Sequence, residues 1–382
     1  MIYVFDYETL KLIWWAIVGI LLVGFAILDG FDLGIGALLP FVGRTDAERR
    51  VMLNSIGPTW EGNQVWFITA GGATFAAWPL VYATGFSGFY VALIIVLFAL
   101  ILRPVGFDYR SKIVDPRWRN AWDWGIFVNG VVPSVVFGVA FGNLLLGVPF
   151  HFDGDQRVFY TGSFFELLNP FALLAGVVSL AMLTMHGGLY LQLRTEGAVR
   201  ERAILAARLA GIVLLATFVA AGLWVAKGVD GYQIVSMPPA DTSFLPSAKT
   251  VERLPSGWLH NYSKHPWTVI APLAAVGATI LALVTSALSR AVLAFVLSCV
   301  AVACVVLTAG FALFPFIMPS SSHPGHSLTV WDAVSSHKTL QVMFWAVPIF
   351  VPIILIYTAW VYRVMRGKVN EQRVRDGGPS MY

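Results

Sequence analysis

The chain has 382 residues, 58% of them hydrophobic and 12% charged, with a formal net charge of +4. A soluble globular domain carries about 25% charged residues, so this composition excludes soluble enzymes and nucleic-acid-binding domains. It points to an integral membrane protein, and the length suits one polytopic bundle.

A membrane span needs roughly 20 mostly apolar residues, and nine runs of that kind are expected, at about 12–40, 58–79, 83–104, 122–147, 166–191, 204–226, 267–289, 291–318 and 340–365. The expected fold class is an all-α polytopic membrane helix bundle, a single transmembrane domain over residues 1–382. A long outer connection at about 227–266 holds no clear helix, and a tail follows at about 366–382. Asp6 and Glu8 precede the first run where a signal peptide would be basic, so that run reads as a retained helix. Most of the 25 basic residues fall in the connections after odd-numbered runs and in the tail. The positive-inside rule then sets the N-terminus outside and the C-terminus in the cytoplasm.

The first run contains Asp29 and Asp32 within ILDGFDLGIG. Three residues apart, they share one helix face. A carboxylate near the bilayer centre costs about 2.5–3.5 kcal/mol, so both are expected to face protein or water. Gly30, Gly34 and Gly36 allow another backbone to approach closely. Asp32 either caps a helix break or belongs to a polar, proton-carrying seam.

The second run opens with GPTWEGNQVW. Pro58 suits a first turn, Glu61 gains from the helix dipole, and Asn63 and Gln64 add neutral hydrogen-bonding groups. Asp29, Asp32 and Glu61 are expected at similar depth on adjacent antiparallel helices. Carboxylates that close in low dielectric cannot all ionise, which is a property a proton relay needs. The plainer reading of Glu61 is an exposed first-turn residue. Arg103 ends the third run and can neutralise an aspartate or simply follow the positive-inside rule. Asp123 opens the fourth run.

Of the seven histidines, only His186 lies within an expected span, where it reads as a packing or hydrogen-bonding residue. His323 and His326 form an HxxH in an outer loop without the helix and glutamate of a zinc protease. Cys299 and Cys304 sit in an apolar run with no metal-ligand spacing. Membrane haems need axial ligands inside the bundle; without a pair of intramembrane histidines, no haem held by this chain alone is expected, and no metal.

The strings DGFDLGIG, WEGNQVWFITAGGATFAAWP, RPVGFDYRSK and WDWG resemble subunit II of the cytochrome bd-type quinol oxidases. So do FGNLLLGVPF, YTGSFFELLNPFALLAGVVS, TAGFALFPFIMPSS and SLTVWDA, collinear from about residue 10 to about residue 365. The resemblance implies a haem-free partner of subunit I in the bacterial inner membrane. Subunit I of that family carries two b-type haems and one d-type haem and couples quinol oxidation to reduction of oxygen to water. The resemblance assigns Glu61, in the W-[DE]-G-N-x-V-W motif, to a proton path toward the haem subunit. Asp29, Asp32, Arg103 and Asp123 match polar positions typical of the family. Some members hold a structural quinone in this subunit, and small single-span subunits join some complexes. His186 stands where some members have Gln, so no family role carries over to it. Two rival readings remain. A proton-coupled secondary transporter would need an inverted repeat and a midplane site; no repeat is visible in the sequence. A purely structural subunit would move no protons.

Overall fold

The computed structural model describes residues 4–376. The expected tail at 366–382 is therefore described to residue 376, and the rest lies outside the described residues. The helices run in the order α1 (Tyr7–Val42), α2 (Asp46–Ile56), α3 (Trp60–Ala77), α4 (Pro79–Gly88), α5 (Tyr90–Tyr109), α6 (Pro116–Leu146) and α7 (Pro170–Arg194). They continue as α8 (Gly197–Gly228), α9 (His260–Lys264), α10 (Ile270–Ala287), α11 (Ala291–Leu313), α12 (His337–Val364) and α13 (Glu371–Asp376).

Local chemistry sets several helix starts. Asp6 caps α1 by accepting from the Thr9 amide at 2.8 Å. Thr45 and Glu48 form a reciprocal capping box at α2. Asp115 with Pro116 opens α6, and Asn169 with Pro170 opens α7. At 1.5 Å per residue the 36 residues of α1 extend about 54 Å, well beyond a hydrocarbon core of about 30 Å.

Among the described residues, eight helices are long and apolar enough to cross a membrane: α1, α5, α6, α7, α8, α10 with its preceding turn, α11 and α12. The expected span at 58–79 is not among them. It is α3, only 18 residues long and diluted by Glu61, Asn63, Gln64 and several glycines. It nonetheless runs the thickness of the bundle. Its first turns meet Asp32 of α1, and the carbonyl of Ala77 at its far end accepts from the amide of Ser335.

Other expected boundaries move for identifiable reasons. Arg103 lies inside α5 rather than at its end, because Gly106 and Phe107 are buried and carry the helix past Pro104 to Tyr109. Asp123 lies about two turns inside α6, because the Asp115–Pro116 start precedes the apolar run. Likewise α8 begins at Gly197 with its polar first turns, ahead of the apolar stretch.

The core is organised around α1, in which every residue from Asp29 to Leu39 is buried. Two close crossings make this geometry. A Cβ on Gly34 would stand 1.9 Å from the Leu183 carbonyl oxygen of α7, and one on Gly130 of α6 would stand 2.3 Å from the Ala37 amide nitrogen. Only glycine permits backbones that near.

The outer end is closed by three two-stranded antiparallel ribbons: β1 (Phe150–Phe152) with β2 (Val158–Tyr160), β3 (Asp230–Ser236) with β4 (Thr250–Pro255), and β5 (Phe316–Met318) with β6 (Leu328–Thr329). The connection at 227–266 thus holds a hairpin and the one-turn α9, where no clear helix was expected. Two lysines lock these ribbons, one to the bundle and one within the cap. Lys11 of α1, fully buried, donates to the carbonyls of Ala240, Thr242 and Trp331 at 2.8–2.9 Å. Lys249 pairs with Asp332 at 2.9 Å, both without solvent exposure. Burial pushes the Asp332 carboxyl up and the Lys249 amine down from their ordinary values, while the attraction between them opposes both shifts.

Candidate functional site: a buried polar cluster at the cytoplasmic end

The basic, cytoplasmic half of the bundle holds three polar centres, drawn from α1, α2, α3, α5, α6 and α12. In the first, Arg103 grips Asp29 with both terminal nitrogens, at 2.5 and 3.2 Å. Its Nε donates to Asn129 Oδ1 at 2.8 Å, and Asn129 donates onward to the Ala99 carbonyl at 3.2 Å. The Trp60 ring lies 5.9 Å from the guanidinium carbon. Both charged side chains are shut off from solvent. A buried pair survives only when such extra hydrogen bonds satisfy its remaining polar atoms.

The second centre is Asp32, on the same face of α1 as Asp29. Asn63 Nδ2 of α3 donates to Asp32 Oδ2 at 2.8 Å, and the Tyr362 hydroxyl of α12 donates to Asn63 Oδ1 at 2.8 Å. Asp32 Oδ1 is buried and finds no partner among the described residues. A buried carboxylate oxygen without a protein donor calls for a proton or a water molecule.

The third centre is Asp123. Arg110 holds it through Nε at 2.5 Å and a second nitrogen at 3.1 Å, and Arg49 of α2 adds a bond at 2.6 Å. Arg110 also reaches Asp46 at 3.0 Å, and Arg119 reaches the other Asp46 oxygen at 2.7 Å. This lattice fastens α2 to α5 and α6. Beside it, Glu48 pairs with Arg202. Burial raises the Glu48 pKa, but the Arg44 and Thr45 amides and Arg202 outweigh that and hold it below the usual carboxylate range.

The sequence-derived candidates therefore separate. Asp29, Asp32, Arg103 and Asn63 come together. Asp123 belongs to the neighbouring arginine lattice. Glu61 does not join Asp32; it lies in the first turn of α3 on an exposed face shared with Val65 and Ile68. Gln64 is half-buried outside the network. Sequence reasoning missed Asn129, Arg110, Arg49 and Tyr362. An asparagine in an apolar run was a readable signal for Asn129; the others looked like ordinary interfacial or positive-inside residues.

His186 is fully buried. Its Nε2 lies 2.9 Å from the Ile27 carbonyl of α1 and its Nδ1 2.7 Å from Ser298 Oγ of α11, and Phe295 stacks on the ring at 5.0 Å. It is a hydrogen-bonding pin between three helices. In the outer cap, His323 lies between His151 and His326, with ring centres 4.9 and 5.4 Å away. Among the described residues no group of three potential ligands is arranged to hold a metal. A cavity of about 840 Å³ opens between α1, α6, α7, α8, α10 and α11, walled by apolar side chains such as Phe25, Phe137, Phe141, Met182 and Phe218.

Comparison with known proteins gives a consistent result. Residues 10–365 match the family model described as cytochrome bd terminal oxidase subunit II. The chain is 53% identical over 377 residues to cytochrome bd-I ubiquinol oxidase subunit 2 of Escherichia coli (strain K12), covering 99% of this chain and 100% of that one. It is 50% identical, with the same coverage, to the probable cytochrome oxidase subunit 2 of Haemophilus influenzae. A chain from the structure of bd oxidase from Geobacillus thermodenitrificans superposes with a TM-score of 0.69 at 12% identity, over 93% of this chain and 98% of that one, a likeness of fold.

Proposed function

Because the chain belongs to the family of cytochrome bd terminal oxidase subunit II, and so is a membrane subunit of a quinol:oxygen oxidoreductase, we propose that it braces the haem-bearing subunit I and supplies protons to it from the cytoplasmic side. The observation that carries this reading is Asp32: a carboxylate sealed within the cytoplasmic half of α1, with one oxygen held by Asn63 and the other free of protein partners. Such a group can take up and release a proton without breaking an ion pair. Arg103 engages Asp29 through both terminal nitrogens, while Asp32 and the Asn63–Tyr362 chain offer the exchangeable positions. Glu61 holds a second carboxyl at the chain's exposed surface, beside an apolar face that suits a neighbouring subunit.

The haems supply electron storage and oxygen reduction in the complex. His186 does not fit an axial haem ligand, since it commits both ring nitrogens to Ile27 and Ser298. The apolar cavity does fit the isoprenoid portion of a structural quinone, since its wall is aromatic and aliphatic with few polar groups.

The test is affinity purification of the tagged chain in mild detergent, read by a reduced-minus-oxidised visible spectrum and quinol-dependent oxygen consumption. We expect b- and d-type bands to arrive with a second large chain. Glu61→Gln and Asp32→Asn should each retain those bands while lowering turnover by about 10²–10⁴-fold, the contribution of a positioned proton-transfer group. Loss of the bands in both variants would leave bracing alone. Unchanged turnover with full bands would remove the proton path.

A further inference from the structure

A second cavity, of about 580 Å³, lies at the cytoplasmic end, on the side formed by α7, α8 and α11. Three cations from separate parts of the chain converge on it: Arg200 from the first turn of α8, Arg290 from the α10–α11 turn, and Lys368 from the segment after α12. Their convergence is built by the fold. The Arg200 Nε donates to the Gln192 carbonyl at 3.3 Å, and the Gln192 side chain is itself fixed by Ser286 at 2.7 Å. Lys368 is delivered by its neighbour Val369, which is buried and whose amide donates to the Arg194 carbonyl at 2.8 Å. Arg290 stands at the start of α11, which has no side-chain cap, so the positive end of that helix adds to the field.

A carboxylate also stands near the cavity. Glu196 approaches Lys368 at 3.1 Å, with both side chains about half exposed. It offsets one of the three cations and leaves net positive charge. The wall turned away from these charges is apolar. Val292, Leu293 and Val296 of α11 line it and are 66%, 43% and 50% exposed.

A cationic pocket adjoining an exposed apolar helix face, at the depth of the headgroups, is complementary to one class of ligand. We infer that this cavity binds an anionic phospholipid. The phosphate sits between Arg200 and Arg290 with Lys368 behind it, and the acyl chains lie along Val292, Leu293 and Val296. A zwitterionic headgroup would bring an ammonium into a site that is already cationic. Free phosphate would engage the same cations but gain nothing from the apolar wall.

The experiment uses the assembled complex, stripped of lipid by excess detergent and followed by native mass spectrometry. Dioleoyl-phosphatidylglycerol, dioleoyl-phosphatidylcholine and inorganic phosphate are added separately. Three proteins are compared: the unaltered chain, Arg200→Gln/Arg290→Gln, and Arg208→Gln as an exposed basic residue outside the cavity. Lys368→Gln replaces the double variant if the latter loses its visible spectrum. The expected result is phosphatidylglycerol binding weakened on the order of twentyfold in the double variant, or fivefold in Lys368→Gln. Arg208→Gln should leave it unchanged, and phosphatidylcholine and phosphate should bind far more weakly to every form. Equal binding of the two lipids, or no effect of the cavity substitutions, overturns the inference. Binding of phosphate as tight as that of phosphatidylglycerol also overturns it, in favour of a free-anion site.

Discussion

Removing the charge of Arg103 while leaving Asp29 in place strands a carboxylate inside a membrane span. Breaking one partner of a buried pair costs about 3–5 kcal/mol, far more than the pair itself contributes. Arg103→Leu should therefore sharply reduce the yield and thermal stability of the assembled complex. The double change Asp29→Asn/Arg103→Gln removes both charges and should recover much of that loss. Thermal inactivation of detergent-solubilised complex measures both. The same energetics explain why this part of the site could be read from the sequence. A charge in lipid is expensive, so Asp29, Asp32 and Arg103 had to find partners or water. Asn129 and Tyr362 carry no such penalty; Asn129 stood out only as an asparagine in an apolar run, and Tyr362 looked like an ordinary interfacial residue. Glu61 shows the converse limit. Its depth could be read from its place in the first turn of α3, but which side of the helix it faces depends on how α3 rotates against α1, which a sequence without clear amphipathic periodicity leaves open.

Among the elements, the crossings of α1 with α6 and α7 rest on glycine. At Gly34 an added methyl would press on backbone, which cannot swing aside as a side chain can. Gly34→Ala should cost about 3 kcal/mol or more and lower the complex's melting temperature. Gly277 of α10 has nothing within 4 Å of where its Cβ would stand. Gly277→Ala should be neutral or stabilise by up to about 1 kcal/mol, since alanine is the better helix former. The outer ribbons respond to pH instead. The Phe152 amide of β1 donates to Nδ1 of His326 at 3.0 Å, so that nitrogen must be unprotonated. Burial lowers the His326 pKa below its ordinary 6.5, and the neighbouring His323, His151 and Lys249 lower it further. Between the lowered folded value and 6.5 the unfolded segment binds more protons, so its stability rises with pH in that window. The contribution is complete above 6.5 and is lost as the pH falls through the folded value. Hydrogen-exchange protection at β1 and β5–β6, referred to the intrinsic rate at each pH, should fall from pH 7 to pH 5, and His326→Asn, which keeps an acceptor without titrating, should flatten that response.

At the scale of the whole molecule, the two ends are built by opposite means. The outer end is closed by hairpins locked on buried Lys11 and Lys249; the cytoplasmic end is closed by arginines that bind aspartates between helices. The order of the eight long apolar helices could be read from apolar runs because the bilayer fixes their length, whereas the remaining expected run, α3, falls short of that length and hydropathy. The outer ribbons could not be read, since their strands are only two to seven residues long, too short for an alternating pattern to stand out. In α3, which is too short and polar to count among those eight, Asn63 is held between Asp32 and Tyr362, so its register depends on α1 and α12 rather than on its own hydropathy. This gives a test of the whole arrangement. Lys264 in the outer cap and Arg44 between α1 and α2 are both exposed. In intact cells a membrane-impermeant maleimide should label Lys264→Cys at once and Arg44→Cys only after permeabilisation, over a low background from the half-buried Cys299 and Cys304. If α3 failed to cross, only α5, α6, α7 and α8 would separate the two positions, they would lie on the same side, and both engineered cysteines would label together.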